Sequence, residues 1–191
     1  MSGPLKSNTR SQWATVNPVL LAGEPGLESD TENLKIGDGK TVWSGLPYFG
    51  NPGYWGSFWD QTSQVAALAN TAYGIKLRQI DTASRGTKII SDTRLTIDHP
   101  GIYSITFSIQ FSNTDSSIHD TNVWLRKNGG DVPASDSRFS VTSKHGSVDG
   151  NVIGCVNFVL GLTTNDYLEL IWATSNVAAY IHAEAAQTSP F

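Results

Sequence analysis

Aspartates in polar stretches are the side chains of this chain that could carry out hydrolysis. A glycan-cleaving enzyme needs two carboxylates at a fixed separation across the scissile bond. The spacing of these acids defines no such pair, and solubilising loops carry the same residues. We therefore expect no enzymatic activity, and a surface-glycan hydrolase remains only a second alternative. The acids concerned are Asp115, Asp120, Asp131, Asp136 and Asp149.

The histidines offer no metal site. His99, His119, His145 and His182 are the only four, no two lie two or four residues apart, and none belongs to a His-Glu-x-x-His motif. The first three are expected on the surface. His182 alternates with Tyr180 and Glu184 on one predicted strand face, where copies of the chain could meet in an oligomer as a structural or pH-sensitive cluster.

Two short motifs look like ligand sites and are not. Gly39-Lys40-Thr41 resembles the end of a phosphate-binding loop, but position 34, which that loop requires to be Gly, is Leu. The acids at 30, 32 and 38 lack the spacing of a calcium loop. Both stretches indicate hairpin turns, and we expect no metal and no cofactor.

Composition excludes several functions. The formal net charge is -4 and charged residues make up 16% of the chain, so there is no basic footprint for nucleic acid. No long apolar run predicts membrane insertion, and the first 18 residues do not resemble a signal peptide. Cys155 lies in an apolar run, which predicts a small buried side chain and not a nucleophile.

Two long polar stretches, residues 113–120 and 135–151, are candidates for recognition. Long loops on a rigid β scaffold commonly carry binding residues, although they can also be plain connections. The receptor-binding candidates in them are Asp115, Ser116, His119, Asp136, Arg138, Lys144 and His145.

The remaining sequence predicts strands that would position these loops. Apolar residues alternate with polar ones from Tyr103 to Phe111, which is typical of a strand with one buried face. Residues 152–162 and 167–173 show similar patterns, and only 64–70 has a helical pattern. The sequence therefore predicts an all-β protein, a sandwich or jelly roll. Its predicted core is Tyr103, Phe107, Phe111, Phe158, Leu168 and Trp172.

The first 49 residues form a separate module that we expect to be too short to enclose its own core. Asp38-Gly39 predicts a tight hairpin turn. Residues 50–53 form a linker, and 54–191 form the larger domain. Oligomer or anchor packing is expected for the module's apolar side chains, namely Trp13, Leu20, Leu21, Trp43 and Tyr48.

The module resembles a hairpin module of bacteriophage tail-fibre and other virion structural proteins. The resemblance covers about a quarter of the chain. The residues that carry it are Gln12-Trp13, Asn17-Pro18-Val19-Leu20, Ala22-Gly23-Glu24, Lys35-Ile36-Gly37-Asp38-Gly39, Thr41, Trp43 and Leu46-Pro47-Tyr48.

The last two thirds resembles the jelly-roll domain of the tumour-necrosis-factor and complement-like superfamily, in its phage branch. The residues that carry this are Pro100-Gly101-Ile102-Tyr103 with the run to Phe111, Trp124 to Gly129, Val132-Pro133, Asn157-Phe158 and Asp166 to Leu170. The resemblance implies a homotrimer with flat faces packed around a threefold axis. Phage members continue into a final apolar strand, whereas this chain stops at Ser189-Pro190-Phe191.

Together the resemblances imply a protein of the virion surface. The expected function is that of a tail-fibre or receptor-binding protein, anchored by its N-terminal module and presenting a trimeric knob to a host glycan or protein. The alternative is a capsid-surface fibre or decoration protein. The expected partners are two further copies, other tail or capsid proteins, and a host surface molecule.

Overall fold

The chain is an all-β protein built as two compact units. A computed structural model describes residues 5–50 and 53–184 and is 6% helical and 48% strand. The units are Met1–Gly53 and Tyr54–Phe191. Two residues of the predicted linker and the C-terminal Ser189-Pro190-Phe191 lie outside the described residues.

The first unit contains a four-stranded sheet and one helix. The sheet has the order β1-β2-β3-β4, with β1 parallel to β2 and the other pairs antiparallel. A 3₁₀ turn at Trp43–Gly45 precedes the last strand. The elements are β1 Lys6–Asn8, α1 Arg10–Val16, β2 Pro25–Glu28, β3 Leu34–Ile36 and β4 Tyr48–Phe49.

The helix α1 was absent from the predicted run of hairpins, although its capping signal is in the sequence. The Gln12 amide donates to Thr9 Oγ1 at 3.3 Å, and the Thr9 amide donates to Gln12 Oε1 at 2.9 Å. This reciprocal pair is a capping box. Asn17 ends the helix in the left-handed region, at φ 42°.

The expected hairpin at Asp38-Gly39 is also wrong. Asp38 instead accepts hydrogen bonds from the Lys40 and Thr41 amides and the Thr41 hydroxyl, forming a side-chain-capped turn. These bonds hold the pKa of Asp38 at about 2, with the Thr41 hydroxyl as the largest cause. The turn leads to a single bridge between Val42 and Val19.

The first unit has an interior, which corrects the expectation that its aromatic side chains lack one. Trp13 and Trp43 are each 2% exposed and stack with ring centroids 4.1 Å apart. Leu20 and Leu46 complete the cluster. Aromatic side chains bury about 150–250 Å² each, so the two stacked indoles contribute a large apolar area to this small cluster. Leu21 alone of the predicted oligomer contacts is largely exposed, at 72%.

The second unit contains twelve strands among the described residues. They are β5 Phe58–Trp59, β6 Tyr73–Gly74, β7 Gln79–Ile80, β8 Thr87–Ile90, β9 Arg94–Ile97, β10 Gly101–Asn113, β11 His119–Lys127, β12 Gly130–Asp131, β13 Ser137–Val141, β14 Gly150–Leu162, β15 Tyr167–Thr174 and β16 Ala179–Ile181.

Two sheets share the main core. Strands β14, β10 and β16 form one sheet, and β10 pairs with β14 over its whole length, from Gly101 opposite Leu162 to Asn113 opposite Gly150. The other sheet has the order β12-β11-β15-β9-β8, with β13 on β11 and β6 on β15. Both sheets contribute to one cluster, which includes Phe107 and Phe111 from the first sheet and Trp172 from the second.

The predicted strand patterns are largely confirmed, with local corrections. Of the predicted core, Tyr103 and Phe158 are only half-buried, whereas the other four residues are buried. Residues 64–70 form no helix and are held as an irregular segment. Cys155 is exposed, because it falls on the outward phase of β14. The jelly-roll topology stays a prediction.

We predict that Phe107→Ala destabilises the second unit by about 3–5 kcal/mol, as large aromatic truncations in cores do. Phe107 is 6% exposed and lies 6.3 Å from Phe158 between ring centroids. The matched control is Leu68→Ala, 66% exposed and outside both the flat face and the apex, with an expected change within about 0.5 kcal/mol. Chemical denaturation measures both, and a loss below about 1 kcal/mol for Phe107→Ala contradicts the assigned core.

Candidate functional site

Three loops meet at one end of the second unit, which we call the apex: residues 114–118, 142–149 and 175–178. Their strands end together, because Asn113 pairs with Gly150 on one side and with Ala179 on the other. His119 and Val141 pair at the same level of the other sheet. The loops are joined at their bases, since the Thr114 amide donates to the Ala178 carbonyl at 3.1 Å.

Asn113 is the residue that fastens two of these loops. Its side chain is fully buried, and Nδ2 donates to the carbonyls of Ser117 at 2.8 Å and Thr142 at 3.1 Å. Its Oδ1 accepts the Asp115 amide at 2.9 Å. This role could not be predicted from the sequence, which only places an asparagine at the start of the predicted loop.

The predicted residues Asp115, Ser116, His119, Lys144 and His145 all lie at the apex. Asp115 Oδ2 is 2.7 Å from His119 Nε2, and Asp115 Oδ1 accepts the Ser116 amide at 2.6 Å. The His119 contact, followed by the Ser116 bond, lowers the pKa of Asp115. The Lys144 amide donates to the Asp115 carbonyl at 2.8 Å, which joins the first loop to the second.

The second loop is shorter than predicted and ends in a tight turn. His145 and Val148 exchange two backbone hydrogen bonds, at 2.8 and 3.1 Å. Gly146, at φ 61°, takes the left-handed conformation that this turn needs. The apex loops are therefore hydrogen-bonded structures and not plain connections.

Two other predicted residues lie away from the apex, because 137–141 is a strand and not a loop. Strand β13 places Arg138 opposite Asn122 on β11. Asp136 accepts both hydrogen bonds from Asn122 Nδ2, at 3.0 and 2.9 Å. Phe139, expected in the same loop, packs against the core, 5.8 Å from Phe111 between ring centroids. The alternation of inward and outward side chains could not be recognised from the sequence here, because this five-residue strand contains two serines.

The apex also carries exposed aliphatic side chains that the sequence analysis missed. Each of the three loops contributes one: Ile118 is 63% exposed, Val148 is 66% exposed and Val177 is 43% exposed. Single apolar residues within polar loops give no periodic signal. Only the fold shows that they belong to adjacent loops.

The chain enters the second unit at the end opposite the apex. Tyr54, its first residue, stacks on His99 with ring centroids 3.9 Å apart, and His99 lies two residues before the start of β10. The apex begins where β10 ends. At about 3.3 Å per residue, a strand of this length separates the two ends by roughly 40 Å.

The outward face of the β10–β14 pair, which we call the flat face, carries no charged residue. The flat face comprises Ile102, Ser104, Thr106, Ser108 and Gln110 on β10, and Ile153, Cys155, Asn157, Val159 and Gly161 on β14. The other sheet differs, since its outward side chains include Asp120, Arg126 and Arg138. Ile102, Ile153 and Val159 on the flat face are each more than 60% exposed.

A buried polar network fixes the first unit. Lys35, 5% exposed, donates from Nζ to the Trp43 carbonyl at 2.9 Å and lies 4.4 Å from the centre of the Tyr48 ring. The Tyr48 hydroxyl donates to the buried Glu28 carboxylate at 2.9 Å. Burial lowers the pKa of Lys35, and burial together with Glu28 raises that of Tyr48. Tyr48 is thus an internal contact.

Within residues 5–50 and 53–184, no group of three or more histidine, cysteine or acidic side chains is placed to hold a metal ion. Among the same residues, no helix is both long and apolar enough to cross a membrane.

Residues 5–41 match a family model described as the major tropism determinant N-terminal domain, which is phage-related. The match ends before Trp43 and covers most of the first unit. It indicates a phage tail or tropism-related structural protein and is consistent with a virion component. No curated protein matches the chain.

We predict that Asn113→Ala loosens the apex. Removing the amide leaves buried carbonyls of two loops unpaired, which costs about 1–3 kcal/mol. Hydrogen exchange should accelerate at the 114–118 and 142–149 amides more than in the centre of β10. Asn122→Ala, which removes the exposed bonds to Asp136, is the control and should leave the apex amides unchanged. Equal protection of both loops in the Asn113 variant would show that the side chain does not fasten them.

Proposed function

We propose that this chain is a non-enzymatic, homotrimeric attachment protein of a phage virion. The first unit docks on the particle and the apex faces the host surface. One observation carries this proposal: the apex lies at the end of the second unit opposite the point where the chain arrives from the phage-related unit. This arrangement suits a domain that is held on the particle at one end and binds the host surface at the other.

The flat face supports the trimer. A solvent-facing sheet surface ordinarily carries charges, as the opposite sheet does here. The half of the flat face around exposed Ile102 and Val159, whose other side chains are small and polar, suits contact with a copy of itself. Closed symmetry uses such surfaces in every subunit, so three flat faces could meet around one axis.

The chemistry of the apex supports binding and not reaction. Aliphatic side chains with a polar rim are the usual composition of a protein-binding patch. The Asp115 carboxylate is occupied by His119 and Ser116, which suits a structural role better than proton transfer. Attachment to the tail is favoured over capsid decoration by the description of the matching family, which refers to tropism.

We predict that Val159→Glu breaks the trimer. A carboxylate at the flat face would be brought close to its symmetry copies without a cation to pair with, which disfavours assembly. Val159 is 64% exposed in the single chain, so folding should survive. Val148→Glu, an equally exposed substitution at the apex, is the control and should stay trimeric in analytical ultracentrifugation. A wild-type monomer at micromolar concentration, or a trimeric Val159 variant, would contradict the flat-face trimer.

We predict that Val148→Glu weakens attachment without altering assembly. Wild-type protein should compete with phage for host cells, and the variant should need at least about tenfold more protein, since a buried charge replaces an apolar contact. Ile90→Glu on the β8–β9 hairpin, away from the apex, should compete like wild type. Normal adsorption by particles lacking the protein would favour capsid decoration instead.

A further inference from the structure

A groove of about 640 Å³ lies over the part of the flat face nearest the apex, and Ser108, Gln110 and Ile153 of that face line it. Its walls come from the end of β5 and the following residues, from β10 and β14, and from the residues after β16. The side chains that give it chemical character are Trp59, Gln61, Ser108, Gln110, His182 and Glu184. The groove belongs neither to the apex nor to the first unit.

The groove is built on fixed elements. Asp60 accepts hydrogen bonds from Arg78 Nη1 at 2.7 Å and from Gln64 Nε2 at 3.2 Å, which holds the wall next to Trp59. On the opposite wall, the His182 amide donates to the Gln110 carbonyl at 2.8 Å. The walls are therefore set by backbone and ion-pair contacts before any ligand arrives, which lowers the entropic cost of binding.

The lining has the chemistry of a neutral polyol site. Trp59 is 40% exposed and presents an indole, whose face can cover the apolar C–H face of a pyranose ring. The amides of Gln61 and Gln110 both donate and accept hydrogen bonds, as sugar hydroxyls do. His182 Nε2 lies 2.7 Å from Glu184 Oε2, which adds a polar pair at the rim.

The charged residues of the groove favour uncharged ligands over anionic ones. Two carboxylates, Asp60 and Glu184, are among the lining residues, and none of the described lining residues is a lysine or arginine. Asp60 is already paired with Arg78 and Glu184 lies against His182, so a sialylated or sulfated sugar, a nucleotide or a phosphate would find no lysine or arginine among the described lining residues to pair with. An uncharged sugar meets no such penalty. The volume is that of a small-ligand site and accommodates one or two hexose units.

We propose that this groove binds a neutral oligosaccharide, with one pyranose ring against Trp59 and its hydroxyls on Gln61 and Gln110. The assignment goes beyond the attachment role and does not depend on it, because the groove lies outside the apex and outside the half of the flat face around Ile102 and Val159 that the proposed trimer uses.

A glycan array that displays neutral, sialylated and sulfated oligosaccharides tests the proposal on the full-length protein. Wild type should bind neutral members, and calorimetry with the best of them should show about tenfold weaker binding for Trp59→Ala, the effect expected from losing one aromatic contact. Trp55→Ala is the matched control, because Trp55 is 43% exposed and does not line the groove. It should bind within about twofold of wild type.

Gln61→Ala is a second variant that keeps the test decisive if Trp59→Ala does not fold, and it should also bind more weakly. Three results would overturn the proposal. These are a wild-type protein that binds no neutral glycan, binding restricted to anionic glycans, or unchanged affinity in both groove variants. Host adsorption plays no part in this readout, so failure here leaves the attachment proposal standing, and failure of attachment leaves this one standing.

Discussion

The antiparallel pairing of β10 with β14 organises the second unit. Thirteen residues of each strand are in register, from Gly101 opposite Leu162 to Asn113 opposite Gly150. Because side chains alternate, one face of the pair fills the core and the other forms the flat face. Because the pairing is unbroken, its two ends are held far apart. The core, the flat face and the apex thus all depend on this one strand pairing.

The pairing of β10 with β14 also places the functions proposed for the second unit on separate surfaces. Asn113 lies at the apex end of the pairing, where its side chain fastens two loops. Tyr54 and His99 stack near the other end of the pairing, where the chain enters the second unit. A substitution at the flat face can therefore change assembly without moving the apex, and the reverse also holds. This separation makes the proposed trimer and the proposed attachment site independently accessible to experiment.

The sequence predicts those features that depend on local pattern. The alternation from Tyr103 to Phe111 identifies β10 and its buried face. Phe139 was assigned to a loop because β13 is short and serine-rich. The interior of the first unit could not be foreseen, since Trp13 and Trp43 are 30 positions apart in the sequence and meet only in the folded unit.

The same distinction between local pattern and contacts of distant residues holds for the candidate site. Asp115, His119 and Lys144 could be assigned to loops from composition, but their meeting at one end depends on long-range pairing that one sequence does not reveal. Ile118, Val148 and Val177 carry no signal until the fold brings their loops side by side. The flat face can be recognised only once the register of β10 and β14 is known.

Cryo-electron microscopy of the intact particle tests the central claim, that the chain is held by its first unit and presents the apex outward. The account predicts threefold density with the first unit against the virion and the 114–118, 142–149 and 175–178 loops at the most distant point. Density with the apex buried against the particle, or with single copies lying flat on a capsid, would contradict it.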